Sequence, residues 1–133
     1  MSERLGTNAE TENCEALTYA IIGAAIEVHR HLRSGHMESV YEAALCIELD
    51  NRGLSYVRQK ALTVNYKGHQ IGSFIADLIV ENRVIVELKA VKELAAVHEA
   101  QLIGYLTMAD LQFGLLINFN VAVLKQGIRR IAV

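Results

Sequence analysis

Apolar residues along the chain recur first at helical spacing. Leu17, Ile21, Ala24, Ala25, Val28 and Leu32 share one stripe, which predicts an amphipathic helix over residues 13–31. Arg33-Ser34-Gly35 breaks it. A second helix is expected over residues 37–52, and Gly53 stands where a left-handed C-cap belongs. Short β-prone runs follow at 62–66, 70–80 and 84–89, parted by Lys67-Gly68-His69 and Glu81-Asn82-Arg83. Residues 92–109 return to helical spacing. Phe113–Asn118 is a continuous apolar run of the kind buried on both faces of a sheet. A last strand is expected over 121–131, with Gly127 as a point where it can break. The order is ααβββαββ, an α/β (α+β) chain whose simplest packing is one mixed central sheet flanked by helices.

Composition narrows the class. The chain has 133 residues, enough for one domain, and 52% apolar residues, enough for a core. Residues 1–12 are polar and acidic, the reverse of a signal peptide, and are expected to form a disordered tail ahead of a single domain over 13–133. No apolar run approaches the roughly 20 residues that span a bilayer. Cys14 and Cys46 are too few for a disulfide scaffold and lack zinc spacing, so a reducing, cytoplasmic setting is expected. The net charge of −2 argues against gripping nucleic acid through a broad basic face. It argues less against a carboxylate site, because a bound divalent cation reverses the local sign. Two basic clusters, Arg58/Lys60/Lys67 and Lys125/Arg129/Arg130, read as ordinary solvated surface.

Some charges stand where a strand should be apolar. Asp77 interrupts the run 74–80, and Glu87 and Lys89 interrupt 84–90. An unpaired buried carboxylate costs several kcal/mol, so such residues persist only with partners. Glu87 and Lys89 share a strand face by alternation. If Val80 pairs with Val84 across a three-residue loop, Asp77 lies opposite Glu87, and a divalent cation between them would turn repulsion into coordination. A two-residue loop would turn Asp77 away. Glu81-Asn82-Arg83 does not settle which, and a Glu–Lys pair with an isolated edge Asp is the plainer alternative. On the second helix Glu38, Tyr41, Leu45 and Leu49 share a stripe that should face the sheet. On the third, Leu94, Val97, His98, Gln101, Tyr105 and Met108 fall within one arc, so Gln101 and Tyr105 interrupt a face expected to be apolar. Three acids, a lysine and a Gln/Tyr pair thus point toward one region.

These residues resemble a known family. Asp77, nine intervening residues, then Glu87-Leu88-Lys89 resembles the PD-(D/E)XK nuclease core. Gln101-Leu-Ile-Gly-Tyr105 resembles the QxxxY motif of its recombination-exonuclease-like branch. Gly35-His-Met-Glu38-Ser-Val-Tyr41 is similar to the signature of the bacterial GxxExxY proteins, and the likeness runs from about residue 20 to the end. Members often carry Leu-Gly-Pro-Gly-Leu before the glutamate, where this chain reads Leu32-Arg-Ser-Gly-His-Met-Glu38. Many carry an arginine where it has Ile75.

The resemblance implies a restriction-endonuclease-like core and a metal-dependent nuclease acting on nucleic acid, DNA ahead of RNA. It implies Mg²⁺, with Mn²⁺ able to substitute, held by Asp77, Glu87, the backbone carbonyl of Leu88 and Glu38. Asp77, Glu87 and Lys89 would be catalytic, and Gln101 and Tyr105 would hold the metal-site geometry or bind substrate. No membrane partner is implied, and a homodimer is left open. Two other readings stand beside it: a nuclease-fold module that binds nucleic acid or a protein without cutting, and a small-molecule metalloenzyme.

Overall fold

The computed structural model describes residues 8–133, with side chains from residue 13 onward. Helix α1 covers Asn8–Leu32 and α2 covers Glu38–Asn51. Residues 1–7 of the expected polar tail lie outside the described residues. Helix α1 starts five residues ahead of its expected start at Asn13, because residues 8–12 carry no apolar periodicity. Gly53 (φ 69) ends α2 as expected, with the Leu54 N–H reaching back to Leu49 O.

Five strands form one sheet in sequence order: β1 (Tyr56–Tyr66), β2 (His69–Val80), β3 (Val84–Lys89), β4 (Phe113–Asn118) and β5 (Ile128–Ala132). Only β3 and β4 run parallel, joined by helix α3 (Ala96–Ala109), so the sheet is mixed. Strand β1 begins six residues before the expected run. Its first half, Tyr-Val-Arg-Gln-Lys-Ala, has no alternation of its own and is held extended by pairing with the buried end of β2. The expected last strand is instead a 3-10 turn, Leu124–Gly127, followed by β5. Gly127 allows this. A Cβ there would come within 2.2 Å of Asn118 O, so no side chain fits.

The core has two layers. Beneath α1 and α2 lie Leu78, Val80, Val84, Val86, Leu88, Leu115 and Ile117. Tyr41 stacks on Phe119 at 4.4 Å between ring centroids, an aromatic contact worth about 1 kcal/mol beyond its buried area. On the opposite face Leu102 and Leu106 of α3 pack on Ile79, Ile85 and Leu116. The α3 arc expected to be apolar is therefore not the buried one. Val97 is 63% exposed, Met108 is 45% exposed and Gln101 is exposed, while Leu102 and Leu106 are sealed. Spacing alone put Val97 and Met108 inward, but the helix is rotated to set its leucines on the sheet.

Candidate active site

The β2–β3 loop has three residues, and Val80 pairs with Val84. Pairing continues to Leu78 and Val86 and then stops, although both strands continue. The next two residues in that register are Asp77 and Glu87, at the point where the strands fork. Each carboxylate instead accepts from a backbone amide of the opposite strand. The Asp77 N–H donates to Glu87 Oε2 at 2.7 Å, and the Leu88 N–H donates to Asp77 Oδ2 at 2.9 Å. Two like charges are thereby crossed over a break in the sheet.

The hairpin is creased at the same level. Leu78 packs under α1 and α2, yet Ala76, two residues earlier, packs with α3. Residues two apart on a strand normally share a face. Between them the Gln59–Asp77 pair is missing from the register, and Gln59 has φ 51. A left-handed non-glycine residue costs roughly 1–3 kcal/mol, so surrounding contacts must hold it. They do. The Gln59 amide donates to Glu42 Oε1 at 2.8 Å and lies 3.4 Å from Asp77 Oδ1. Arg58 fixes the other Glu42 oxygen at 3.0 Å.

Glu38 opens α2 across an open cleft of about 700 Å³ lined by Gly35, Glu38, Glu42, Gln59 and Asp77 among others. Gly35 (φ 107) makes the turn before it. The Tyr41 hydroxyl ties that turn down, donating to Arg33 O at 2.5 Å and accepting from the His36 N–H at 3.2 Å. The Gly35, Glu38 and Tyr41 spacing thus has a physical basis: a turn, an acid at the first helical position, and an anchor beneath it. Glu38 is exposed, and among the described residues no three His, Cys, Asp or Glu side chains form a ready metal-holding group.

Lys89 is half-buried at the end of β3 and has no ion pair among the described residues. Its charge, like those of Asp77 and Glu38, is felt at Glu87. On α3, Tyr105 stacks on Phe74 at 3.9 Å, and burial followed by the charges of Glu87 and Asp77 raises its hydroxyl pKa. Gln101 stands one turn earlier, exposed and without a side-chain hydrogen bond among the described residues. The structure brings together Asp77, Glu87, Leu88 and Lys89, sets Tyr105 within their field, and leaves Glu38 and Gln101 on the rims.

Burial, reinforced by the charge of Asp77, pushes Glu87 from 4.5 up to about 7; the Asp77 N–H and Lys89 offset part of this, and Glu38 adds to it. The folded protein therefore holds this proton over a range where the unfolded chain has released it. Its contribution to stability is full below about pH 4.5 and lost as pH rises through about 7, on the order of 3 kcal/mol in total. Glu87→Gln should remove that slope, so denaturant-unfolding curves of wild type and variant, measured without metal, should diverge between about pH 5 and about pH 8. Parallel curves would mean that Glu87 ionises normally.

Sequence reasoning missed Glu42, Gln59 and Asn118. Glu42 lies one turn beyond Glu38 and is only 7% exposed, so its helical phase was a usable signal. Gln59 gave none, sitting in a polar stretch. Arg58, expected to be solvated surface, is the partner of Glu42. Asn118, 2% exposed, clamps the chain after β3 by accepting from the Val91 N–H at 3.0 Å and donating to Val91 O at 2.9 Å. His98 caps α3, accepting from the Ala95 N–H through Nδ1 at 2.9 Å.

Comparison with known proteins gives one match. No curated protein and no solved structure matches the chain. A family model for the PD-(D/E)XK nuclease superfamily matches residues 15–131, a span containing every site residue above. With that match over most of the chain, and with a mixed five-stranded sheet flanked by helices as in the restriction-endonuclease core, the chain belongs to the PD-(D/E)XK nuclease superfamily.

Proposed function

We propose that this protein is a divalent-metal-dependent nuclease that hydrolyses nucleic-acid phosphodiesters, DNA ahead of RNA, and that within its superfamily it sits with the GxxExxY, QxxxY-bearing proteins. One observation carries the reading: the sheet forks where Asp77 and Glu87 meet, with Lys89 on the Glu87 face of the same strand. A fold needs no second acid beside the buried Glu87 there, and burial reinforced by the charge of Asp77 raises the Glu87 pKa.

The donor set fits a hard cation. Two carboxylates face the fork, and the Leu88 carbonyl joins them. Because the Leu88 N–H points to β2 while Lys89 O accepts from Phe119 on the β4 side, the Leu88 carbonyl also leaves on the β2 side, where the partner strand has departed. Asp77, Glu87 and Leu88 would hold Mg²⁺, or Mn²⁺ in its place, with Glu38 reaching in from the opposite wall. When bound, the ion supplies Lewis acidity toward a phosphate and acidifies nearby water. Lys89 orients the attacking water, takes its proton, or neutralises charge on the phosphorane. Gln101 and Tyr105 on the α3 rim hold the substrate backbone.

A second reading is a nuclease-fold binding module. It is favoured by the absence, among the described residues, of a third gathered acid and by the net charge of −2. The test is cleavage of single- and double-stranded DNA and RNA with Mg²⁺, Mn²⁺ or EDTA. Metal-dependent cutting abolished by EDTA supports the nuclease; binding without cutting under every metal condition supports the module. No helix among the described residues is long and apolar enough to cross a membrane, and the buried, free Cys14 and Cys46 suit the cytoplasmic setting that this reading includes.

A further inference from the structure

The crease at Gln59 is distinct from the other irregularity of the β1–β2 register, a shift between Val64 and Asn65 toward the turn end of the hairpin. Pairs run unbroken on both sides of the crease, from Tyr56–Val80 to Arg58–Leu78 and again from Lys60–Ala76 to Val64–Gly72. At that one level β1 carries a left-handed residue that is not glycine. Strain of this kind persists where surrounding contacts over-determine it, and its position opposite Asp77 is where a functional reason is to be sought.

The side chain supplies the reason. From the left-handed backbone its amide projects between the two walls of the cleft. It reaches Glu42 of α2, one turn beyond Glu38, at 2.8 Å, and Asp77 Oδ1 of β2 at 3.4 Å. Glu42 cannot swing away, being buried and held from its other oxygen by Arg58. Asp77 is held from its other oxygen by the Leu88 N–H. The chain Arg58–Glu42–Gln59–Asp77–Leu88 therefore runs from helix to fork without a free link. We infer that Gln59 is a positioning residue, a strut that ties α2 to the Asp77 carboxylate and fixes the spacing across the cleft. The inference rests on the nuclease reading for its purpose, but not for its existence.

Gln59→Gly separates the strut from the crease. Glycine takes a left-handed φ freely, so the backbone should keep its shape and the variant should melt no lower than wild type. Without the amide, the Asp77 carboxylate loosens its hold on the Leu88 N–H. In the metal-free protein, hydrogen exchange at Leu88 should then quicken by about 10-fold while Val86, inside the ladder, is unchanged. Mn²⁺ affinity, read by the electron paramagnetic resonance of free Mn²⁺, should weaken by about 10-fold, as for loss of a group that orients a ligand. Gln59→Asn also tolerates the left-handed backbone but is one methylene short, and should behave like Gly. Unchanged Leu88 exchange in both variants overturns the strut, whatever the enzyme does. Faster exchange in a protein whose wild type neither takes Mn²⁺ nor cuts nucleic acid upholds the strut and overturns the nuclease reading instead.

Discussion

Lys89→Ala should lower single-turnover cleavage by at least about 10²-fold while the protein stays folded and retains Mn²⁺ and nucleic-acid binding. Lys89 shares a strand face with Glu87, and its charge offsets part of what burial does to that carboxyl. A purely neutralising lysine would show its loss in stability. A lysine acting on water or on the phosphorane contributes in the transition state, so its loss falls on the chemical step and leaves ground-state binding in place. The structure leaves it available for this, since Lys89 has no ion pair among the described residues. Lys89→Arg should not restore the rate fully, because guanidinium keeps the charge yet cannot release a proton at working pH. Equal single-turnover rates for wild type and Lys89→Ala would make the lysine structural and would point to a contaminant as the source of any cutting.

Asp77→Asn should abolish most of the thermal stabilisation by divalent metal. An ion that binds only the folded state at about 100 times its Kd adds about 2.7 kcal/mol, which for a domain of this size raises Tm by roughly 10 °C. Mn²⁺ should act at lower concentration than Mg²⁺. The asparagine oxygen can still accept from the Leu88 N–H, and the change removes one of two facing charges. The asparagine amide nitrogen then stands where Asp77 Oδ1 faced the Gln59 amide at 3.4 Å, a small loss beside the charge removed. The metal-free variant should therefore stay folded with Tm close to wild type, which distinguishes lost metal binding from a damaged fold. A wild-type melting curve unmoved by millimolar Mn²⁺ would favour the binding module.

Much of this was legible in the chain before folding. Of the stripe Glu38, Tyr41, Leu45 and Leu49, the three apolar members are sealed as expected while Glu38 is exposed, and β3 and β4 begin and end where their apolar runs do. These features rest on local periodicity, which a sequence carries in full. The charged residues interrupting two apolar strands were visible for the same reason: their cost is local, and their presence demands partners.

The pairing of those residues was not local. Whether Asp77 faced Glu87 depended on the length of one loop, and Glu81-Asn82-Arg83 suits more than one. Tertiary contacts chose. Glu81, at φ 53, accepts from the Ser55 N–H at 2.6 Å and from its hydroxyl at 2.8 Å, and its own N–H donates to Ser55 O at 2.8 Å. Ser55 lies 26 residues away, just before β1, so no spacing rule could have supplied that anchor. The rotation of α3 was likewise set by leucines meeting Ile79, Ile85 and Leu116 on three strands, not by the arc of the helix alone. The sequence by itself determined which residues could not be left alone in a strand. Only the tertiary structure decided what they face, because register and helix rotation depend on contacts between segments far apart in the chain.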